Sequence, residues 1–455
     1  MLGSDRSSWT QRAAAAAVTL MLTACGGGGS PQASLPEVSA CDVSSQKDWL
    51  RSYMRDWYFW YANSPNPEPA GYATVSSYYS ALMFTGNAAF PADRWSYSGS
   101  TESFSRFYGD GQTLGYGVAV AGVEVRGQPS QPLYIRYVAP NSPAALAGLA
   151  RSDRVLAING VPASQVITAD DYSGLSALTA GERVTLDISN AGGSRSVQLN
   201  SVIYAVTPVD SARVLNSPGG RKTGYVFVNN MMSQGAAPLE SAFASFKQQG
   251  VQDVILDMRY NGGGLVSFGA TVASYITGSR AHGQVYTQLV YNDRKSDRNQ
   301  TFSFSTPTSA LSLNRVYVLA GPRTCSASEQ VISGLRGSNP RVDVVLIGDT
   351  TCGKPMGFLP ANNQCGTTYS AVNFEGLNAR GEGRYWDGLR ATCSVRDDVQ
   401  KPLGVANEGL VAAALSHADT GACPAGSAGR EMPMTRAWVP GARPEPGVRH
   451  DMIAR

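Results

Sequence analysis

Three short stretches of this sequence hold the residue types that acyl chemistry needs. Asp257-Met258-Arg259-Tyr260-Asn261-Gly262-Gly263-Gly264 closes an apolar run at 254–258 and leads into a run of helical spacing at 265–276. A glycine-rich turn at a helix start leaves backbone amides free and suits an oxyanion as well as a phosphate. Thr324-Cys325-Ser326-Ala327-Ser328-Glu329 follows the apolar run 316–320 and opens a helical segment at 330–335. A nucleophile held at such a turn is exposed, and the helix dipole favours negative charge developing there. Gly348-Asp349-Thr350-Thr351-Cys352-Gly353-Lys354 again follows a strand-like run, 344–347, and the next lysine is Lys401.

A serine hydroxyl attacks a carbonyl only when a base removes its proton, and that base is usually histidine. This chain has only His282, His417 and His450, none of them in a recognisable motif, so a Ser-His-Asp triad is poorly supplied. A lysine serves instead where burial disfavours its charged form and lowers its pKa. Gly353, Met356 and Phe358 offer Lys354 that apolar setting.

These motifs need a sheet to carry them. From about residue 204 the pattern alternates strand (225–228), helix (239–246), strand (254–258), helix (265–276) and two further strands (316–320, 344–347), which predicts a mixed or mainly parallel sheet covered by helices. With 455 residues, 43% of them hydrophobic and 16% charged, the chain is globular and long enough for roughly two to four folded units. A net charge of +3 without a basic block argues against a nucleic-acid partner. Between 48 and 82, Trp49, Leu50, Tyr53, Met54, Trp57, Trp60 and Tyr61 recur at helical spacing around Pro65, Pro67 and Pro69, which predicts two short helices with an aromatic core face.

From residue 115 strands take over, with Val118, Val120 and Val123, then Leu133, Ile135 and Tyr137. A short helix at 143–147 closed by Gly148, and a strand ending in an Asn159-Gly160 turn, follow. Residues 110–205 resemble a PDZ domain. The resemblance implies that the loop Leu114-Gly115-Tyr116-Gly117 grips a terminal carboxylate while the bound peptide adds as a strand.

The three motifs, in this order, resemble those of the C-terminal processing protease family, the S41 peptidases, whose pattern is Asp-Leu-Arg-x-Asn-x-Gly-Gly, Ser-Ala-Ser-Glu and Gly-x-x-Thr-x-Gly-Lys. The likeness spans residues 49–415. It implies a multidomain α+β protein: helical N-terminal domain (41–105), PDZ domain (106–205) and a protease domain (206–422) with a mixed sheet of the ClpP/crotonase kind. It also implies a Ser-Lys dyad of Ser326 and Lys354, an oxyanion hole of Gly263 or Gly264 with Ala327, polypeptide substrates with accessible C termini, and no cofactor or metal. Many relatives carry Gln four residues after the lysine; here Phe358 stands there, and Asn362, Asn363 and Gln364 are the nearby polar candidates to orient Lys354.

Arg6 and Arg12 precede an apolar run, 13–22, too short to span a bilayer, so residues 1–24 read as a signal peptide. Leu22-Thr23-Ala24-Cys25 resembles a lipobox, with Cys25 the lipidated residue, Gly26 fitting outer-membrane sorting, and 25–40 a tether. Export to an oxidising compartment makes disulfides expected among Cys41, Cys325, Cys352, Cys365, Cys393 and Cys423. Cys365 with Cys393 and Cys41 with Cys423 are the expected pairs, and a Cys325–Cys352 bridge would fix or switch the dyad. The Pro-, Gly- and Arg-rich stretch 423–455 reads as disordered. Two rivals remain: Ser44-x-x-Lys47 with Lys222-Thr223-Gly224 matches fragments of penicillin-interacting acylases, and an inactive peptide-binding lipoprotein is the alternative from another class.

Overall fold

The computed structural model describes residues 38–427 and 451–454, so the signal segment and Cys25 lie outside the described residues. The two helices expected between 48 and 82 are Val43–Trp57 and Val75–Ala81. Asp42 caps the first by accepting from the Ser45 amide. Its aromatic face is buried: Trp49 stacks on Tyr53 at 5.3 Å and meets Tyr369 of the protease domain. Strand Tyr97–Ser100 then pairs antiparallel with Thr367–Ser370. The N-terminal segment is thus fastened to the protease domain by packing and by ladder bonds. Helix Thr101–Tyr108 runs across the expected junction at 105/106.

The PDZ-like part is a sheet in the order Val118–Val120, Leu133–Val138, Arg154–Ile158, Arg183–Asn190, Gly193–Asn200. Alternate residues point inward, and Leu133, Ile135, Val184, Leu186 and Ile188 are fully buried. Helix Pro143–Leu146 and the Asn159-Gly160 turn stand where the sequence places them, with both turn residues at positive φ.

The protease domain is built on a sheet ordered Val209–Asn216, Lys222–Val228, Asp253–Asp257, Arg315–Ala320, Asp343–Gly348, Cys393–Ser394. The first pair is antiparallel and the rest parallel. One face packs Tyr225, Ile255 and Tyr317 against Leu410, Val411 and Ala414 of helix Gly409–Thr420. On the other, Gly224 leaves room for the Phe246 ring of helix Ala236–Gln248, since a Cβ at residue 224 would come within 2.8 Å of that ring. Parallel strands end on the same side of a sheet, so the segments after Asp257, Ala320 and Gly348 emerge side by side. That is how motifs distant in sequence meet.

Two expectations are corrected. The bridges are Cys41–Cys365, Cys325–Cys352 and Cys393–Cys423, not Cys365–Cys393 or Cys41–Cys423. Cys393 lies in the edge strand opposite Ile347, where the chain returning from helix Gly409–Thr420 brings Cys423, whereas Cys365 is bridged to Cys41 just before helix Val43–Trp57. The 423–455 stretch is not uniformly without structure either. Ser427 accepts from the Ser394 amide at 2.8 Å, and Met452–Ile453 is a strand paired in parallel with Gly264–Leu265. Backbone pairing to a free strand edge demands no side-chain pattern, so nothing in the composition announces it.

Candidate active site

The glycine-rich loop is pinned from below. Asn261 donates from Nδ2 to the Val228 carbonyl (3.0 Å) and accepts the Gly263 amide on Oδ1 (2.9 Å). Its own carbonyl accepts from the Cys325 amide (3.1 Å) and from the Ser328 hydroxyl (3.0 Å), which ties the first motif to the second. Thr324 Oγ1 adds a bond to the Met258 carbonyl at 2.9 Å. Arg259, fully enclosed, is bracketed by Asp257, Asp397 and Glu408 at 2.8 Å each. Charges this deep persist only when paired and hydrogen-bonded.

Ser326 sits at the start of helix Ala327–Gly337 with φ +63° and ψ −120°, a strained conformation for a residue with a Cβ. Strain of this kind marks a sharp strand-to-helix turn that presents a nucleophile. Its hydroxyl is buried and has no hydrogen-bond partner. Three residues on, Glu329 organises the site. Its Oε2 accepts the amides of Ser326 (2.9 Å) and Lys354 (2.8 Å), and its Oε1 accepts the Gly353 amide (2.8 Å) and the Thr351 hydroxyl (2.5 Å). The Cys325–Cys352 bridge runs beside this carboxylate, with Cα atoms 5.2 Å apart. Burial pushes the Glu329 carboxyl up, and these donors oppose the shift.

Lys354 is wholly buried, and that burial lowers its amine to about 8 although Asp451, Asp93 and Glu329 attract its charge. Its Nζ lies 4.6 Å from the centroid of the ring of Phe358, four residues further on. Asn363 is turned to Gln46 and to the amides of Cys365 and Thr367, while Asn362 accepts from the Gln364 amide. None of these bonds leads to Lys354.

Of the expected oxyanion donors, the Gly263 amide is occupied by Asn261, whereas the Gly264 amide donates to the Asp451 carbonyl. A Cβ on Gly263 would lie 2.9 Å from Ser326 Cβ and 3.0 Å from the Ala327 nitrogen, so only glycine fits against Ser326 there. Leu114 and Gly115 are not loop residues. They belong to strand Gln112–Gly115, paired antiparallel with Val202–Ala205, because the chain stays extended until Tyr116. Tyr116 is buried, and Gly117 turns at φ +77° into strand Val118–Val120, an edge strand of the PDZ-like sheet. The rival serine-acylase fragments stay apart: Ser44 bonds Asp42, Lys47 Nζ is held by the carbonyls of Pro69 and Tyr72, and Lys222 reaches the Gln249 carbonyl.

Glu329 carries no role in the sequence reading, although a Glu three residues after a helix-opening Ser is a recognisable capping signature. Asp397 and Glu408, the partners of Arg259, lie in no motif and carry no such signal.

The model of peptidase family S41 matches residues 222–381, that of the PDZ domain residues 134–190, and that of the peptidase S41 N-terminal domain residues 45–97. Over 217 residues the chain is 28% identical to the carboxyl-terminal-processing protease of Synechocystis sp. (strain ATCC 27184 / PCC 6803 / Kazusa), covering 47% of this chain and 48% of that one. It is 29% identical over 262 residues to carboxyl-terminal-processing peptidase 3, chloroplastic, of Arabidopsis thaliana, covering 55% and 47%. The chain therefore spans about half the length of the curated relatives it matches. A solved protein of Bacteroides fragilis NCTC 9343 assigned as an S41 protease superposes with a TM-score of 0.64 at 25% identity, over 82% of this chain and 97% of that one.

Proposed function

The chain carries the domain set of peptidase family S41, and from that premise we propose that it is a serine endopeptidase working through a Ser326–Lys354 dyad. The observation that carries this reading is Glu329 Oε2, which draws the backbones of both residues to one atom. The buried amine of Lys354, lowered to about 8, is neutral often enough near physiological pH to accept a proton. Lys354 takes the Ser326 proton and the hydroxyl oxygen attacks the peptide carbonyl. The amides of Gly264 and Ala327 hold the oxyanion, the amine leaves with the proton from Lys354, and water then frees the acyl product.

The edge strand Val118–Val120 is where a peptide adds to the PDZ-like sheet and brings an unfolded C-terminal segment to the protease domain. Export by residues 1–24, lipidation at Cys25 and an envelope location facing the periplasm complete the proposal. No helix among the described residues is long and apolar enough to cross a membrane.

The test incubates the purified chain with an unfolded substrate bearing an apolar C terminus, beside Ser326→Ala and Lys354→Ala. Cleavage by the parent alone is the expected outcome. Equal absence in all three chains favours a peptide-binding protein without protease activity.

A further inference from the structure

The site is not open. Segment 451–454 lies across it as a strand bonded on both edges. On one edge the Asp451 amide donates to the Gly262 carbonyl (3.0 Å) and the Asp451 carbonyl accepts the Gly264 amide. On the other the Met452 carbonyl accepts the Phe358 amide (2.9 Å) and the Ala454 amide donates to the Phe358 carbonyl (3.4 Å). These bonds use the glycine-rich loop and the residue that follows the Lys354 motif, the two walls between which a peptide substrate of this site would run.

The side chains are accommodated as specifically as the backbone. Asp451, Met452 and Ile453 are all fully buried. The Asp451 carboxylate accepts the hydroxyl of Tyr97 at 2.7 Å and that of Tyr108, which come from strand Tyr97–Ser100 and helix Thr101–Tyr108. A buried carboxylate needs such donors. The Asp451 carbonyl oxygen stands 2.2 Å from where a Gly263 Cβ would be, the same point that lies 2.9 Å from Ser326 Cβ and 3.0 Å from the Ala327 nitrogen. That carbonyl therefore occupies the corner formed by the nucleophile, its following amide and the glycine loop. The Ser326 hydroxyl meanwhile has no hydrogen-bond partner, so the dyad bond is not made while the segment is seated.

We propose that segment 451–454 is a substrate-like occupant of the proteolytic cleft, which blocks it in the resting chain and displays its preference: an acidic residue read by Tyr97 and Tyr108 at the attacked carbonyl, followed by two apolar residues. The inference rests on the protease reading for the word substrate, but the occupancy stands on binding alone. A tethered segment competes at an effective concentration of order millimolar, so an external peptide of the same chemistry meets a largely filled site.

The test separates the two readings. On the Ser326→Ala background, a fluorescent peptide bearing Asp-Met-Ile-Ala is titrated by anisotropy against the full chain and against the full chain carrying Met452→Asp with Ile453→Asp. The displaced chain should bind it about tenfold or more tightly, by removal of the internal competitor. The same peptide with Asn for Asp should bind about tenfold more weakly, since the amide satisfies two hydroxyl donors less well than a carboxylate, and Tyr97→Phe with Tyr108→Phe should erase that difference. If the double substitution disturbs folding, a chain ending at residue 450 replaces it. Equal affinity for parent and displaced chains, or no discrimination between Asp and Asn peptides, overturns the proposal. With Ser326 intact, a displaced chain that binds the peptide yet cuts nothing retains the occupant and removes the protease.

Discussion

The backbone amides of Ser326 and Lys354 donate to the same carboxylate oxygen, Oε2 of Glu329, at 2.9 and 2.8 Å. The two residues proposed as nucleophile and base are therefore held by a third. Glu329→Gln keeps the shape but replaces one acceptor oxygen with an NH2 facing N–H or O–H donors. Two buried donors lose their acceptor, which costs about 2–4 kcal/mol of stability. As Glu329 acts only through other residues, kcat should fall about a hundredfold with KM little changed. A chain whose KM rises while kcat holds would remove Glu329 as a positioning residue. Thermal melts and steady-state kinetics on one substrate check both parts.

The general base must be neutral to work. Burial lowers the Lys354 amine to about 8, so the proton is bound below that pH and activity rises as pH climbs through it. The acid limb of kcat/KM should have its midpoint near 8. Asp451 is among the charges that hold the amine protonated, so Asp451→Asn, which leaves the bulk of segment 451–454 in place, moves the limb to lower pH. A limb that stays put in that variant would mean that Asp451 does not act on Lys354.

Much of this was legible in the residues themselves. Gly263-Gly264, Ser326 and Lys354 carry local signals: positive φ that only glycine accepts cheaply, a strand-to-helix turn, a lone lysine among apolar neighbours. What escaped depends on long-range closure. Cys41 pairs with Cys365 across 324 residues, and no spacing rule reaches so far. Asp397 and Glu408 become partners of Arg259 only after the sheet and helix Gly409–Thr420 have assembled around it. Asp451 escaped because a strand that adds to an existing edge is specified by the edge, whereas its own neighbourhood is rich in Pro, Gly and Arg.

Cys325 and Cys352 each precede or nearly precede a dyad residue, and their bridge closes a loop with a sequence separation of 27. Cys325→Ala with Cys352→Ala should lower stability by about 3 kcal/mol on loop-closure grounds. The same change frees the backbone on either side of Glu329, so activity falls with it. A thiol count on the native chain checks the premise: free thiols at both positions would contradict the bridge.

Ser326 holds its sharp strand-to-helix turn at a cost in backbone strain, with φ at +63°. Ser326→Gly relieves it and should raise stability by about 1 kcal/mol, the strain relieved less the added unfolded-state entropy. Ser326→Ala loses the hydroxyl but keeps the Cβ and should gain nothing of the kind. Equal melting temperatures for the Gly and Ala variants would mean that the turn is not strained.

Arg151 reaches out of the PDZ-like domain into the network beneath the glycine loop. It donates to the Tyr260 hydroxyl (2.6 Å), to Asp397 (2.8 Å) and to the Lys401 carbonyl (2.7 Å). Burial pushes the Asp397 carboxyl up, but Arg259 and Arg151 outweigh it and bring it down to about 2. A carboxyl lowered on folding contributes stability that is present above its unfolded value, near 4, and lost as pH falls through about 2. Arg151→Ala leaves Asp397 with Arg259 and the Tyr260 hydroxyl, and should destabilise the chain by about 3 kcal/mol, as breaking a buried pair does. It should also move the acid unfolding transition to higher pH, because Asp397 then protonates sooner. Lysine at 151 restores the charge but not the fork that serves several acceptors at once, so Arg151→Lys recovers only part of the loss. Urea melts from pH 3 to 7 on the three chains decide it: an acid transition unmoved by Arg151→Ala would show that Asp397 does not depend on the PDZ-like domain.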